Sequence, residues 1–369
     1  MASNNGSFKL VPVLALYFLA PLIGELLSGS APPPEFFSIV GLIVLPALYG
    51  AGAVIVRELA VSWKKGWGTI WILGAAYGVI EEGIMVRSWF DPNWMDLGIL
   101  GTYGRWLGVN WIWAYMLTLY HASISISIPI LLLDLIWPEL KGVRITGKWS
   151  FRAIALVFVL DVLLGFVLFR YGAPFHLILF ASAISAFLIW LSKRWPADAT
   201  SGPNLMHPLA YFVVGFTSMV FFFVIEGGLP QLIPWSIVTL GIGVLYALAI
   251  RWFLKRSLIG SGDESRAFWL ATGVLGFFIF LTPFQESNPN RTDNPAGMIL
   301  VGLSFFLFLV FVYLRLRSRR RKQLPPPPNA LGQRATIPSD IVLTPREADF
   351  LGLHSIACVC RDSVASAKI

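Results

Sequence analysis

Apolar residues along this chain come in blocks of about twenty, separated by short polar or glycine- and proline-bearing connections. Roughly 20 helical residues cross the hydrocarbon layer of a bilayer, so each block reads as a membrane span. Ten are expected, at 9–28, 36–61, 67–87, 108–137, 149–169, 173–192, 208–226, 233–254, 267–285 and 297–315. None shows the two-residue alternation of a barrel strand, and in hydrocarbon only helices or closed barrels satisfy their own backbone. The pattern predicts an all-α polytopic membrane helix bundle of about ten transmembrane helices. Residues 1–316 form its transmembrane domain, and residues 317–369 a basic, Pro-rich tail expected to be disordered.

Composition agrees. With 56% hydrophobic and 13% charged residues and a mean hydropathy of +0.72, the chain has too little polar surface for a soluble protein. The first block includes Pro12, Pro21 and Glu25, which suit a span better than a signal peptide. Lys64, Lys65, Lys141, Arg144, Lys148, Lys193, Arg194, Arg251, Lys255, Arg256, Arg266 and the run from Arg315 to Lys322 fall on one side when ten spans are counted. Arg87, Arg105, Arg170 and Arg291 fall on the other. The basic side faces the cytoplasm, so both termini are expected inside, and the cell (plasma) membrane is the expected location. The net charge of +8 is spread over short loops, which favours anionic lipid over nucleic acid as its partner. Pro325–Pro328 and the pair Cys358 and Cys360 lie in the tail, where neither supports a disulfide framework.

Charge changes the picture most inside the third and fourth blocks. Glu81 and Glu82 sit in the third and His121 in the fourth. An ionised side chain at that depth costs at least ~2.5 kcal/mol, so these groups need a partner, a wet cavity or a metal. On a helix, Gly74, Ala75 and Gly78 share the face of Glu82, which points that carboxylate at a neighbouring helix and places Glu81 beside Tyr77. Thr118, His121 and Ser125 form one polar stripe, and Pro129 leaves the Ser125 carbonyl without its donor. Counting residues from the outer ends of the blocks separates Glu82 and His121 by about 12 Å along the membrane normal if neither helix tilts. Glu25, Asp161, Arg170, His176, Glu226 and Glu286 are further polar groups in the outer half. Carboxylate and neutral imidazole are zinc ligands, so Glu82, His121 and His176 form a candidate set for a divalent metal such as zinc. The connection from Ser88 to Leu107 carries Trp89, Phe90, Trp94, Tyr103 and Trp106 among glycines; it reads as an interfacial aromatic belt or, alternatively, as a flap over the carboxylates.

The run Glu81-Glu82-Gly83-Ile84-Met85-Val86-Arg87, followed by a helix-borne His121, resembles the CAAX-processing and bacteriocin-processing (CPBP) intramembrane endopeptidases. The resemblance implies one glutamate that activates water and a Glu/His set that holds the water or a metal, carried here by Glu81, Glu82 and His121. Arg87 follows Glu82 by five residues where that family has four, which on a continuous helix turns it about 140° away. Leu117 stands where the family has phenylalanine, and Phe180 and Tyr211, four residues after His176 and His207, stand where it has Asn or Asp. Three functions follow from these residues: an intramembrane hydrolase, with Glu81, Glu82 and His121 catalytic and a peptide substrate; a secondary transporter of protons or small ions on the same carboxylates; and a non-catalytic scaffold.

Overall fold

A computed structural model describes residues 9–196, 206–259 and 263–323; the proline run and both cysteines lie outside these. The described chain is an all-α bundle of long helices: α1 Leu10–Leu27, α2 Ile39–Ser62, α3 Trp67–Val79 with a wide last turn Ile80–Met85, α4 Trp111–Ile136, α5 Lys148–Leu168, α6 Phe175–Arg194, α7 Pro208–Leu232, α8 Ser236–Ser257, α9 Glu264–Glu286 and α10 Met298–Gln323. All but α3 are long and apolar enough to cross a membrane, which makes nine such helices among the described residues. The third expected span, α3, is a helix too; its glutamates and glycines dilute its apolar character, and it offers them to protein. Of its residues from Thr69 to Val79 all but Trp71 are buried. By contrast α5 and α8 expose most of their apolar side chains, as lipid-facing helices do.

Glycine sets the closest helix contacts. A Cβ on Gly74 would sit 2.9 Å from the Ala122 Cα, and one on Gly78 would sit 2.9 Å from the His121 Cβ, so the small-residue face of α3 lies against α4 at the level of the histidine. In the second half, Gly215 on α7 and Gly273 on α9 lie against each other's backbone carbonyls, at Leu270 and Phe212. Gly83 meets Ala181 of α6 in the same way, at 2.9 Å.

The connection after α3 differs from an interfacial belt. Trp89, Phe90, Leu97 and Leu100 are buried, and the segment folds back through a short antiparallel hairpin pairing β1 (Arg105–Trp106) with β2 (Val109–Asn110). Asn110 caps α4 by accepting from Trp113 N at 3.0 Å, and its amide holds the Leu100 carbonyl. Arg105 donates to the carbonyls of Phe90 at 2.9 Å and Asp91 at 3.1 Å, closing the loop on itself. In the connection between α9 and α10 the Arg291 guanidinium, bonded to Asp293, holds that carboxyl below its ordinary range and reaches the Gly29 carbonyl at 2.6 Å.

At the other end, Arg57 and Glu58 of α2 are buried, and both anchor the α4–α5 connection. Glu58 accepts from Ile145 N at 2.9 Å, from the Thr146 hydroxyl at 2.6 Å and from Arg144 at 3.2 Å; Arg57 donates to Leu140 O at 2.6 Å and Val143 O at 3.1 Å. Removing one member of such a network leaves the other charge buried and alone, which costs about 3–5 kcal/mol. Glu58→Ala is therefore expected to lower the melting temperature of the purified protein far more than substitution of the exposed Lys64. Equal melting of the two variants would contradict this arrangement.

Candidate functional site

Four helices deliver polar groups to one point, and each does so from a stretch where hydrogen bonding steps back five residues instead of four. These wide turns are Leu22–Leu27 with Glu25, Pro46–Gly50 with Tyr49, Ile80–Met85 with Glu81 and Glu82, and His121–Ser127 with His121 and Ser125. A wide turn inserts one residue and re-aims the side chains around it, which is why such turns gather at functional sites. Prolines account for part of the pattern. Pro21, Pro46 and Pro129 adjoin three of the turns, and each withholds the donor that the carbonyl four residues earlier would use. The carbonyl freed by Pro21 belongs to Tyr17, and Gly50 packs against it so closely that a Cβ would meet the oxygen at 2.0 Å.

His121 is the hub. Its Nε2 lies 3.1 Å from Glu82 Oε1, while its Nδ1 lies 3.3 Å from Glu81 Oε2 and 3.2 Å from the Ser125 hydroxyl. All four residues are buried. Ligand-capable atoms of Glu81, Glu82 and His121 lie within 4.8 Å of one another. The 12 Å offset from counting is thereby overturned: α4 starts at Trp111 instead of residue 108, and the crossing at Gly74 and Gly78 brings its backbone beside α3 at the level of the glutamates.

Each carboxylate has a further support. Ser88, just past α3, donates its hydroxyl to Glu82 Oε2 and accepts from the Trp113 indole at 3.1 Å, which ties the start of the folded loop to the pair. Glu81 Oε1 bonds the Tyr49 hydroxyl at 2.5 Å, and the same hydroxyl bonds Glu25 Oε1. One phenol carries one proton and cannot donate to two carboxylates at once. A proton on Glu25 or Glu81 would satisfy the carboxylate that the phenol cannot. The rings of Tyr49, Tyr77 and Tyr120 surround the imidazole at centroid distances of 5.9, 5.7 and 5.6 Å. The Tyr77 hydroxyl is buried beside Glu81.

Several expectations need correction. His176 is exposed at the start of α6 and lies outside the Glu81, Glu82 and His121 group. The helix stops at Met85, and Arg87 adopts φ 62° instead of continuing it. Its guanidinium donates to the carbonyls of Phe166 and Phe169 and lies 4.4 Å from the Phe166 ring, away from Glu82. The Thr118 hydroxyl turns back to Ala114 O at 2.7 Å and leaves the stripe. Residue patterns alone missed Tyr49, Ser88 and Trp113; a tyrosine in mid-span, whose hydroxyl needs a partner, was the available signal for the first.

The comparison with protein families bears on the whole of this arrangement. One family model matches residues 14–325, which takes in every residue of the site. The chain belongs to that family, an uncharacterized membrane protein family. No curated protein and no solved structure matches it. This family member is a multi-pass membrane protein, and its site has to be read from its own geometry.

Three glycines make room for the rings: Gly78 under His121, Gly52 under Tyr77 at 2.4 Å from a would-be Cβ, and Gly24 beside Tyr49 at 3.0 Å. Gly78→Val is expected to displace His121 and to destabilise the protein by roughly 1–3 kcal/mol. Gly172→Val, where no atom lies within 4 Å of a Cβ, is the matched control and should melt with the wild type. A Gly78→Val melt that superimposed on the control would show that α3 and α4 do not meet there.

Proposed function

We propose that this membrane protein is an intramembrane hydrolase of the CPBP kind, resident in the plasma membrane, with Glu81, Glu82 and His121 as its catalytic set and a membrane-embedded peptide as substrate. The observation that carries the proposal is the convergence of two carboxylates on the two nitrogens of one buried imidazole, with no lysine or arginine paired to them among the described residues. Glu82 is placed to take the proton of a water shared with His121, since general base catalysis needs direct contact or one bridging water. Glu81 is the proton donor to the leaving group, recharged through Tyr49 and Glu25. In a metal-dependent form of this reading the same three groups would hold a divalent cation such as zinc, with Glu81 a carboxylate ligand instead of a proton donor, because two carboxylates and an imidazole leave a position open for water. Such a cation, when bound, would lower the pKa of that water. Missing from this reading is the second histidine motif of the CPBP endopeptidases, and Glu25 supplies a fourth ionisable group instead.

A second reading rests on a separate observation. Glu25, on a third helix, shares the Tyr49 hydroxyl with Glu81, and a carboxyl pair linked in this way suits a proton-coupled transporter.

Purified protein in proteoliposomes separates the two. With fluorogenic peptides that carry an apolar segment, wild type is expected to cleave, and Glu82→Gln and His121→Ala each to lose about 100-fold or more of the rate while still inserting and folding. Undiminished cleavage by both variants would overturn the catalytic assignment. Absence of cleavage, together with proton uptake that both variants abolish, would establish the transporter in its place.

A further inference from the structure

The basic end of the bundle gathers cations at one corner. Lys64, Lys65, Lys193, Arg194, Arg251 and Arg256 enter no salt bridge among the described residues. Indoles lie beside them: Lys193 Nζ is 6.0 Å from the Trp63 ring, and the guanidinium carbons of Arg194, Arg251 and Arg256 are 5.7, 4.9 and 4.8 Å from those of Trp190, Trp195 and Trp252. The Arg251 pair joins the end of α8 to the end of α6. Lys65 Nζ donates to Trp195 O at 2.6 Å, which brings the α2–α3 connection to the same corner.

From this corner both helices run outward as exposed apolar surface. On α6, Trp190 is 54% exposed and Phe187 56%, with their rings stacked at 5.9 Å; on α8, Trp252 is 59% exposed, Leu248 54% and Leu245 68%. Cations of one sign held together repel each other unless an anion lies among them. An acidic peptide would supply the anion and leave the apolar faces bare. A molecule with one anionic phosphate and two long hydrocarbon chains satisfies both surfaces, and indoles favour the level at which its headgroup would lie.

We infer that the corner formed by the ends of α6 and α8 is a binding site for anionic phospholipid, with the phosphate between Arg194 and Arg251 and the acyl chains along the exposed faces of the two helices. The site is separate from the carboxylates and rests on neither reading of their chemistry. Native mass spectrometry of the purified full chain in neutral detergent tests it, with dioleoyl phosphatidylglycerol, dioleoyl phosphatidylcholine or inorganic phosphate added. Wild type is expected to retain phosphatidylglycerol at least about tenfold more tightly than phosphatidylcholine, and to gain no comparable adduct from phosphate alone. Arg194→Gln with Arg251→Gln should weaken phosphatidylglycerol by about tenfold or more, whereas Arg194→Lys with Arg251→Lys keeps the charge and the preference. Equal retention of the two lipids, unchanged phosphatidylglycerol binding in the glutamine variant, or saturation by free phosphate would each overturn the assignment.

Discussion

Ionised carboxylates are costly in hydrocarbon, and this constraint organises the meeting of the first four helices. Glu81 and Glu82 are compensated by a single imidazole, and the third carboxyl, Glu25, by a tyrosine hydroxyl that it shares with Glu81. Each compensation needs two helices in contact at a set depth. Helix α3 is thereby held between α4 and the wide turns of α1 and α2, and the loop after it is drawn down by the Ser88 hydroxyl on Glu82. A buried polar network of this kind is strong only when every member is satisfied, which ties the packing of four helices to the protonation of a few side chains.

Backbone chemistry makes the meeting geometrically accessible. A regular helix repeats every 3.6 residues, and a pair such as Glu81 and Glu82 would point about 100° apart. The wide turn at Ile80–Met85 and its counterparts on the other helices re-aim these side chains, and glycines at 24, 52 and 78 take up the volume of the rings between them. A fifth wide turn, Val224–Gly228, carries Glu226 in the second half, where the half-buried carboxylate is not part of the group around His121. The repeated device does not by itself make a site; a hub residue must face it.

Much of this was legible in residue order. The ten apolar blocks all became helices, and the pairing of Glu81 and Glu82 with His121 followed from the cost of burying them. The glycine face of α3 foretold the crossing at which they meet. What residue order could not give was register. Counting along straight helices placed the groups 12 Å apart, because neither the wide turns nor the true start of α4 leaves a periodic signature. The end of α3 was misjudged for the same reason, since nothing in Ile84-Met85-Val86 announces that the helix stops before Arg87. Partners supplied by distant segments, such as Trp113 to the Ser88 hydroxyl that bonds Glu82, or Ile145 and Thr146 to Glu58, depend on tertiary closure and escape any local reading.

The central claim is that Glu25, Tyr49 and Glu81 form one hydrogen-bonded chain, beside His121, that holds a proton between carboxyl groups. Infrared spectroscopy of the purified protein reads that proton directly, through the carbonyl stretch of a protonated carboxyl group at neutral pH. The account predicts a band that disappears in Glu25→Gln or Glu81→Gln and shifts in Tyr49→Phe. Spectra of all three variants that superimposed on the wild type in this region would contradict it.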